Sequence, residues 1–516
     1  MRWDPREQAC IPALTTDGRW GDVTAVEALH DADRITAVHG DTPGETAALL
    51  EWLLGLLYAA GHHPTDDDEW VDWVKGEKSL APAASWLAGH PGVWNLFDPV
   101  RPLGQNAELL PHLAAYGVGP AQLVIEHAGD YNQHFDHRHL HHAAPLPAAA
   151  AWRAMLAQHA FGQGRRARIP AKEMGLPAPF TNLSTCRLGA RVRTFALGPT
   201  LGDTLRLNLA PWEPDPDREA DCRAGTLNLT WGDRNRRPFA RTGIHETRTP
   251  DGPADYHTVL GRSVALRPVR MSDGTIGVDR VLVGPGETLG DLDAVYRDDE
   301  VLTMQGKKAV TFKPQPSREL WREAHALYAA TPAERTKGQD LYGRLATLRG
   351  RRPELWAVGL LADKGSPVAW VSDCFPYVPG RQADLRHTAE QGSAIAEYAA
   401  TALRKAAEAA CEIGFPNSRT AERPGQLARF NGEKALWAGA GTEFHDLLAD
   451  VAAGRPVHDC LARYGRAVRR LATSALASGL RFRSGTDQRV RVIARDRLEA
   501  ELNHWTAPAP LREAIS

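Results

Sequence analysis

The stretch 383-ADLRHTAEQGSAIAEYAATALRKAAEAACE-412 decides the architecture of this chain. It runs without proline, is rich in alanine, and is long enough for one packed helix. Three more stretches of similar character follow at roughly 432–453, 457–478 and 490–504. Between them fall Gly414-Phe415-Pro416, Gly454-Arg455-Pro456 and Ser484-Gly485-Thr486, which punctuate helices. Four long helices with short connections predict an antiparallel four-helix bundle over residues 376–516.

Upstream the pattern differs. Arg191 to Ala196 and Leu205 to Leu209 alternate apolar and polar residues, as half-buried strands do. Tyr256 to Arg270 alternates again, Ser272-Asp273-Gly274 makes a turn, and Gly277 to Val283 completes a predicted hairpin. Thr42-Pro43-Gly44-Glu45 opens a helix over 47–60 with a capping box, and Ala148 to Phe161 resumes helical spacing. Trp70, Trp73 and Trp86 lie in short amphipathic pieces. Residues 211–221 and 246–254 read as loops, and no internal repeat stands out. The expected class is α+β: a large mixed α/β domain over 1–375, then the four-helix bundle.

A length of 516 residues suits two to four domains, and 43% apolar with 24% charged residues is the balance of a globular chain. Lys and Arg total 61 against 63 Asp and Glu, so the chain is not coated in positive charge. The bundle region is mildly basic, with 20 Lys/Arg against 16 Asp/Glu, and arginines crowd its last connection and helix. Phosphate binding depends on where charge sits, so a local basic groove stays open. No segment has the length and apolarity of a membrane span, and no signal core opens the chain. Six scattered cysteines without a CxxC pair read as reduced thiols and predict no zinc site, which together point to the cytoplasm.

No phosphate loop, HExxH helix or GxSxG elbow is found. Gly284-Pro285-Gly286 reads as a turn and not as a phosphate loop. The run His134 to His142 is the strongest local candidate for metal chemistry, but a metal needs convergent ligands and a second shell, so a solvated or RNA-facing loop is the plainer reading. His245-Glu246 and the Asp255/His257 pair are isolated. Arg165, Arg166, Arg168 and Lys172 form a basic cluster, and Arg234, Arg236 and Arg237 stand beside Trp231. Such groups hold phosphates or form solvated faces.

Taken in order, several motifs resemble the CasA family, the large subunits of type I-E CRISPR surveillance complexes (Cascade). They are Ile11 to Leu14, Val26 to Ile35, Gly40 to Ala47, Phe97-Asp98-Pro99-Val100-Arg101-Pro102-Leu103-Gly104-Gln105, Asn132 to His137, Ala160-Phe161-Gly162, Leu205 to Leu209, and Leu436-Trp437 followed by Phe444 to Leu448. The likeness runs over about 5–505. It implies a binding subunit with no active site and no cofactor. Its partners would be CRISPR RNA, other Cascade subunits, double-stranded target DNA and a recruited helicase-nuclease. The subunit would recognise a short target-adjacent motif and help open the duplex, while base pairing reads the sequence.

The resemblance also assigns roles. Asn132, Phe135, Asp136 and His137 would seat the subunit near the guide RNA handle, with Phe135 as the anchor. Arg267 and Arg270 lie on the family's basic hairpin. Asp363, Lys364, Gly365 and Ser366 occupy its wedge, which inserts between base pairs. Lys364 stands where the best-known wedge has glutamine. The family's glycine-rich loop falls near 175–187, where this chain has a single glycine and offers Asn182, Ser184 or Thr185 instead. Two rival readings remain: a metal-dependent hydrolase built on His134–His142, and a CasA-like subunit repurposed for RNA-guided DNA insertion.

Overall fold

The computed structural model describes the chain apart from residues 129–143, 168–169, 171, 176–180, 220–221, 232–246, 291, 306–307, 316–318, 330–339, 364, 418, 482–487 and 513–516. It divides into two compact units, Met1–Ser317 with Glu334–Cys374, and Arg318–Ala333 with Phe375–Ser516.

In the first unit, β1 (Ile11–Thr15) is the centre of an antiparallel sheet flanked by β2 (Trp20–Val23) and β3 (Ile35–Val38). A glycine loop then leads into α1 (Pro43–Ala59), capped by Thr42, whose hydroxyl accepts from the Glu45 N–H. The Glu45 carboxylate accepts from the Asp41 N–H, one residue earlier than in a full capping box. α1 is buried on nearly every side, the signature of a central helix. Its Trp52 meets Trp152 of α2 (Ala148–Phe161) edge-on, with ring centroids 5.0 Å apart.

Beyond α2 the chain forms a short ribbon, β4 (Arg165–Arg166) against β5 (Asn182–Leu183), then β6 (Arg193–Leu197) and α3 (Leu201–Asn208). The segment Leu205–Leu209, expected as a strand, is thus mostly helix. Thr200 caps it, accepting from the Asp203 N–H at 3.1 Å. The residues that read as a solvent face are buried and hydrogen-bonded instead. Arg206 donates to Asp33 and to the Lys78 carbonyl, and Asn208 bonds both the N–H and the C=O of Ala196. A burial that covers both faces erases the meaning of a period-two pattern.

The alternation from Tyr256 likewise splits. Pro253–Thr258 is a helical turn with proline at its start, and the strand begins only at Arg262. β7 (Arg262–Arg270) and β8 (Ile276–Pro285) then form the predicted hairpin. A second hairpin, β9 (Glu354–Asp363) and β10 (Ser366–Pro376), joins β6 in a sheet of order β10–β9–β6. Two linking residues leave room only for an antiparallel turn.

A buried ionic cluster ties α1 to the segment entering β6. The Glu51 carboxylate accepts from Arg187, from Arg193 at 2.7 Å, and lies 2.9 Å from His257 Nδ1. Burial alone would raise the Glu51 carboxyl, but Arg187 and Arg193 outweigh it and hold it well below the usual range.

The second unit carries α4 (Gln382–Gly414), α5 (Glu433–Ala452), α6 (Val457–Arg481) and α7 (Gln488–Leu502), close to the four predicted stretches. α4 packs on each of the other three. Its alanines, from Ala389 to Ala410, let the helices approach closely, and a Cβ on Gly392 would lie 2.9 Å from the Phe444 ring. Val490, Ala494, Leu498 and Leu502 recur every four residues as the buried stripe of α7. The unit also takes in the segment carrying Trp321, which packs on Phe444 at 4.9 Å.

Candidate nucleic-acid interface

The β9–β10 turn sits against the β4–β5 ribbon. Gly365 has φ +79°, and a Cβ there would lie 2.3 Å from the Gly164 carbonyl oxygen. Only glycine tolerates both the left-handed backbone and that approach. Gly164 in turn donates its N–H to Thr185 Oγ1 at 3.2 Å. The contact therefore brings Gly365, flanked by exposed Asp363 and Ser366, to the segment holding Asn182 and Ser184. These residues are far apart in sequence and adjacent in the fold.

The ribbon is fixed from below. Arg262 at the start of β7 is 2% exposed. Its guanidinium donates to the carbonyls of Ser184 (2.8 Å), Gly261 (2.9 Å) and Gln163 (2.9 Å). The Arg262 N–H donates to Nδ1 of His159, whose Nε2 faces the Gly104 carbonyl at 2.9 Å. Burial pushes the His159 imidazole down to about 4, so the neutral ring, with its proton on Nε2, serves both contacts. Leu183 turns inward onto Ala265 and Leu282 of the β7–β8 hairpin, in a cluster shared with Ala167 and Met174.

The basic hairpin is thus a neighbour of the ribbon, but its two arginines differ. Arg267 is held by Asp279 in a two-bond pair, Nε to Oδ1 at 2.8 Å and Nη2 to Oδ2 at 2.6 Å. The ladder shifts register at Asp279, between Val278 and Arg280, and this bulge sets the carboxylate against Arg267. Arg270 is exposed at the tip, where it donates to the Gly274 carbonyl at 3.0 Å. With successive residues about 3.4 Å apart, Arg270 lies roughly 17 Å along β7 from Ala265.

Lys364 lies outside the described residues, as do Asn132, Phe135, Asp136 and His137, the whole run His134–His142, and Arg168, Arg234, Arg236, Arg237, His245 and Glu246. Asp255 and His257 are core groups. Asp255 pairs with Arg248 at 2.6 Å, and His257 joins the Glu51 cluster. Among the described residues no group of three or more His, Cys, Asp or Glu side chains converges as metal ligands would, and no helix is long and apolar enough to cross a membrane. Sequence pattern gives no sign of Arg262 or Gly164, because a buried arginine bonded to carbonyls has no motif.

A CRISPR-associated protein CasA/Cse1 from Thermus thermophilus is 29% identical over 338 residues, 62% of this chain and 59% of that relative's own length. The chain thus spans somewhat under two thirds of that relative in the matched region. The crystal structure of Thermus thermophilus CasA superposes with a TM-score of 0.73 at 20% identity, covering 98% of this chain and 100% of that one. A chain of a CRISPR RNA-guided surveillance complex superposes at 0.64 and 17% identity, over 97% of this chain and 99% of its own length. The family model of the CRISPR-associated protein Cse1 matches residues 7–475, and the chain belongs to that family.

Proposed function

We propose that this chain is the large subunit of a type I-E CRISPR RNA-guided surveillance complex, a cytoplasmic binding protein that inspects duplex DNA. The observation that carries the reading is the shared fold, nearly end to end, with a chain of a CRISPR RNA-guided surveillance complex. Membership of the Cse1 family supports it. On this reading the domain over 1–375 contacts the guide RNA handle through Asn132, Phe135, Asp136 and His137. The same domain presents Asn182, Ser184 and the turn Asp363–Ser366 to the target-adjacent motif. Lys364 is the wedge that enters the base stack, and the tight seat of Gly365 on Gly164 supports that role by giving the turn a rigid base. Arg270 holds the DNA backbone, whereas Arg267 is occupied by Asp279. The subunit has no active site of its own. A separate helicase-nuclease, recruited to the complex, cuts the DNA.

The test is to purify the chain with the products of its neighbouring genes and size any nucleic acid that comes with it. A uniform small RNA in a multi-subunit particle is the expected result. A free monomer, with no RNA and no partners, overturns the reading.

A further inference from the structure

We infer that Arg166 is a DNA-contacting residue that works as a pair with Asn182, Arg166 on a backbone phosphate and Asn182 on a base edge; the inference rests on the reading of this chain as a duplex-inspecting subunit. The ribbon register sets Arg166 directly opposite Asn182, and Arg165 opposite Leu183. Side chains alternate along a strand, so Leu183, buried on Ala265 and Leu282, turns Asn182 outward. Arg166 and Asn182 are both exposed. Directly opposed residues carry their Cβ atoms about 5 Å apart, close enough to meet one phosphate and the nucleotide attached to it.

The chemistry of the two side chains is complementary. A guanidinium offers a planar fork of donors that matches phosphate oxygens. An amide carries both a donor and an acceptor, which a base edge requires. Arg166 makes no ion pair among the described residues, in contrast to Arg267, which Asp279 occupies. Local charge points the same way. The buried Arg262 gives its guanidinium to carbonyls, so its positive charge adds to that of Arg166 across the ribbon. Arg262 also fixes the backbone on both sides of the ribbon, through Gln163 and Ser184, so the pair is oriented before DNA arrives. Across the Gly164 contact lies Gly365 of the β9–β10 turn, so a phosphate held by Arg166 would be beside that glycine.

The experiment uses the assembled particle carrying Arg166→Ala, Arg166→Gln or Asn182→Ala, with binding to duplexes that contain or lack the target-adjacent motif measured across a salt series. Arg166→Ala should weaken every duplex alike and reduce the salt slope by about one. Asn182→Ala should keep the slope and lower the preference for the motif by about tenfold. Both positions are exposed, so melting temperatures should stay unchanged. If Arg166→Ala unfolds the protein, Arg166→Gln, which keeps length without charge, carries the same expectation. Unchanged affinity and slope in an Arg166 variant overturn the inference while leaving the subunit reading intact. So does a variant that loses guide RNA but binds duplex normally. A wild-type particle that binds no duplex at all sinks the subunit reading itself.

Discussion

His159 shows what single residues contribute to this site. It is a buried, neutral ring that accepts from the Arg262 backbone and donates to Gly104, and Arg262 in turn holds both sides of the ribbon. Because its folded-state value is lowered to about 4 from the usual 6.5, the unfolded chain binds the proton first on acidification. Stability is therefore present above about pH 6.5 and is lost as pH falls towards 4, by up to roughly 3 kcal/mol. Histidine resonances followed by NMR should show His159 still neutral at pH 5. A midpoint near 6.5 would mean the ring is not held in this way. Gly365 and Gly164 act differently, by having nothing where a side chain would be. The turn at Gly365 is legible from its glycine, but its contact with Gly164 is not, since the partners stand far apart along the chain.

At the scale of elements, the same local device appears twice. Gly40-Asp41-Thr42-Pro43-Gly44-Glu45-Thr46 opens α1, and Gly198-Pro199-Thr200-Leu201-Gly202-Asp203-Thr204 opens α3. In each, the first glycine donates its N–H to the last threonine, at 2.9 Å and 3.0 Å. In each, the middle threonine caps the acidic residue three positions on. The first glycine has no room for a side chain, since a Cβ would sit 2.2 Å from Glu45 Cβ in one and 2.3 Å from Asp203 Cβ in the other. Gly40→Ala and Gly198→Ala should each destabilise the protein by about 1–3 kcal/mol in chemical denaturation, and a neutral result for either would contradict the shared geometry. The two openings share the pattern Gly-x-Thr-x-Gly-acid-Thr, but the second lies beside a stretch whose alternation reads as strand. The capping signal of Thr200 and Asp203 is the better guide there, because a cap answers to local hydrogen bonds, while alternation answers to burial.

On the scale of the whole molecule, a net charge of −2 coexists with a basic ribbon and an exposed Arg270. A protein built this way should bind duplex DNA weakly by itself, with affinity falling steeply as salt rises. Gel-shift or anisotropy titrations of the isolated chain at several salt concentrations measure this, and binding indifferent to salt would speak against a phosphate-based contact. Local sequence alone marks the helical carboxy-terminal region, the helix opened by Thr42 and the hairpin turn at Ser272-Asp273-Gly274, together with the family they resemble. Each of the structural features rests on local periodicity, capping or turn chemistry that a short window of residues contains. The folded arrangement alone reveals that Gly164 seats Gly365, that Arg166 faces Asn182, that Arg262 lies beneath them, and that Arg267 is taken by Asp279. Those pairings depend on strand register and on which groups end up sharing a buried space, and neither is written in the spacing of residues along the chain.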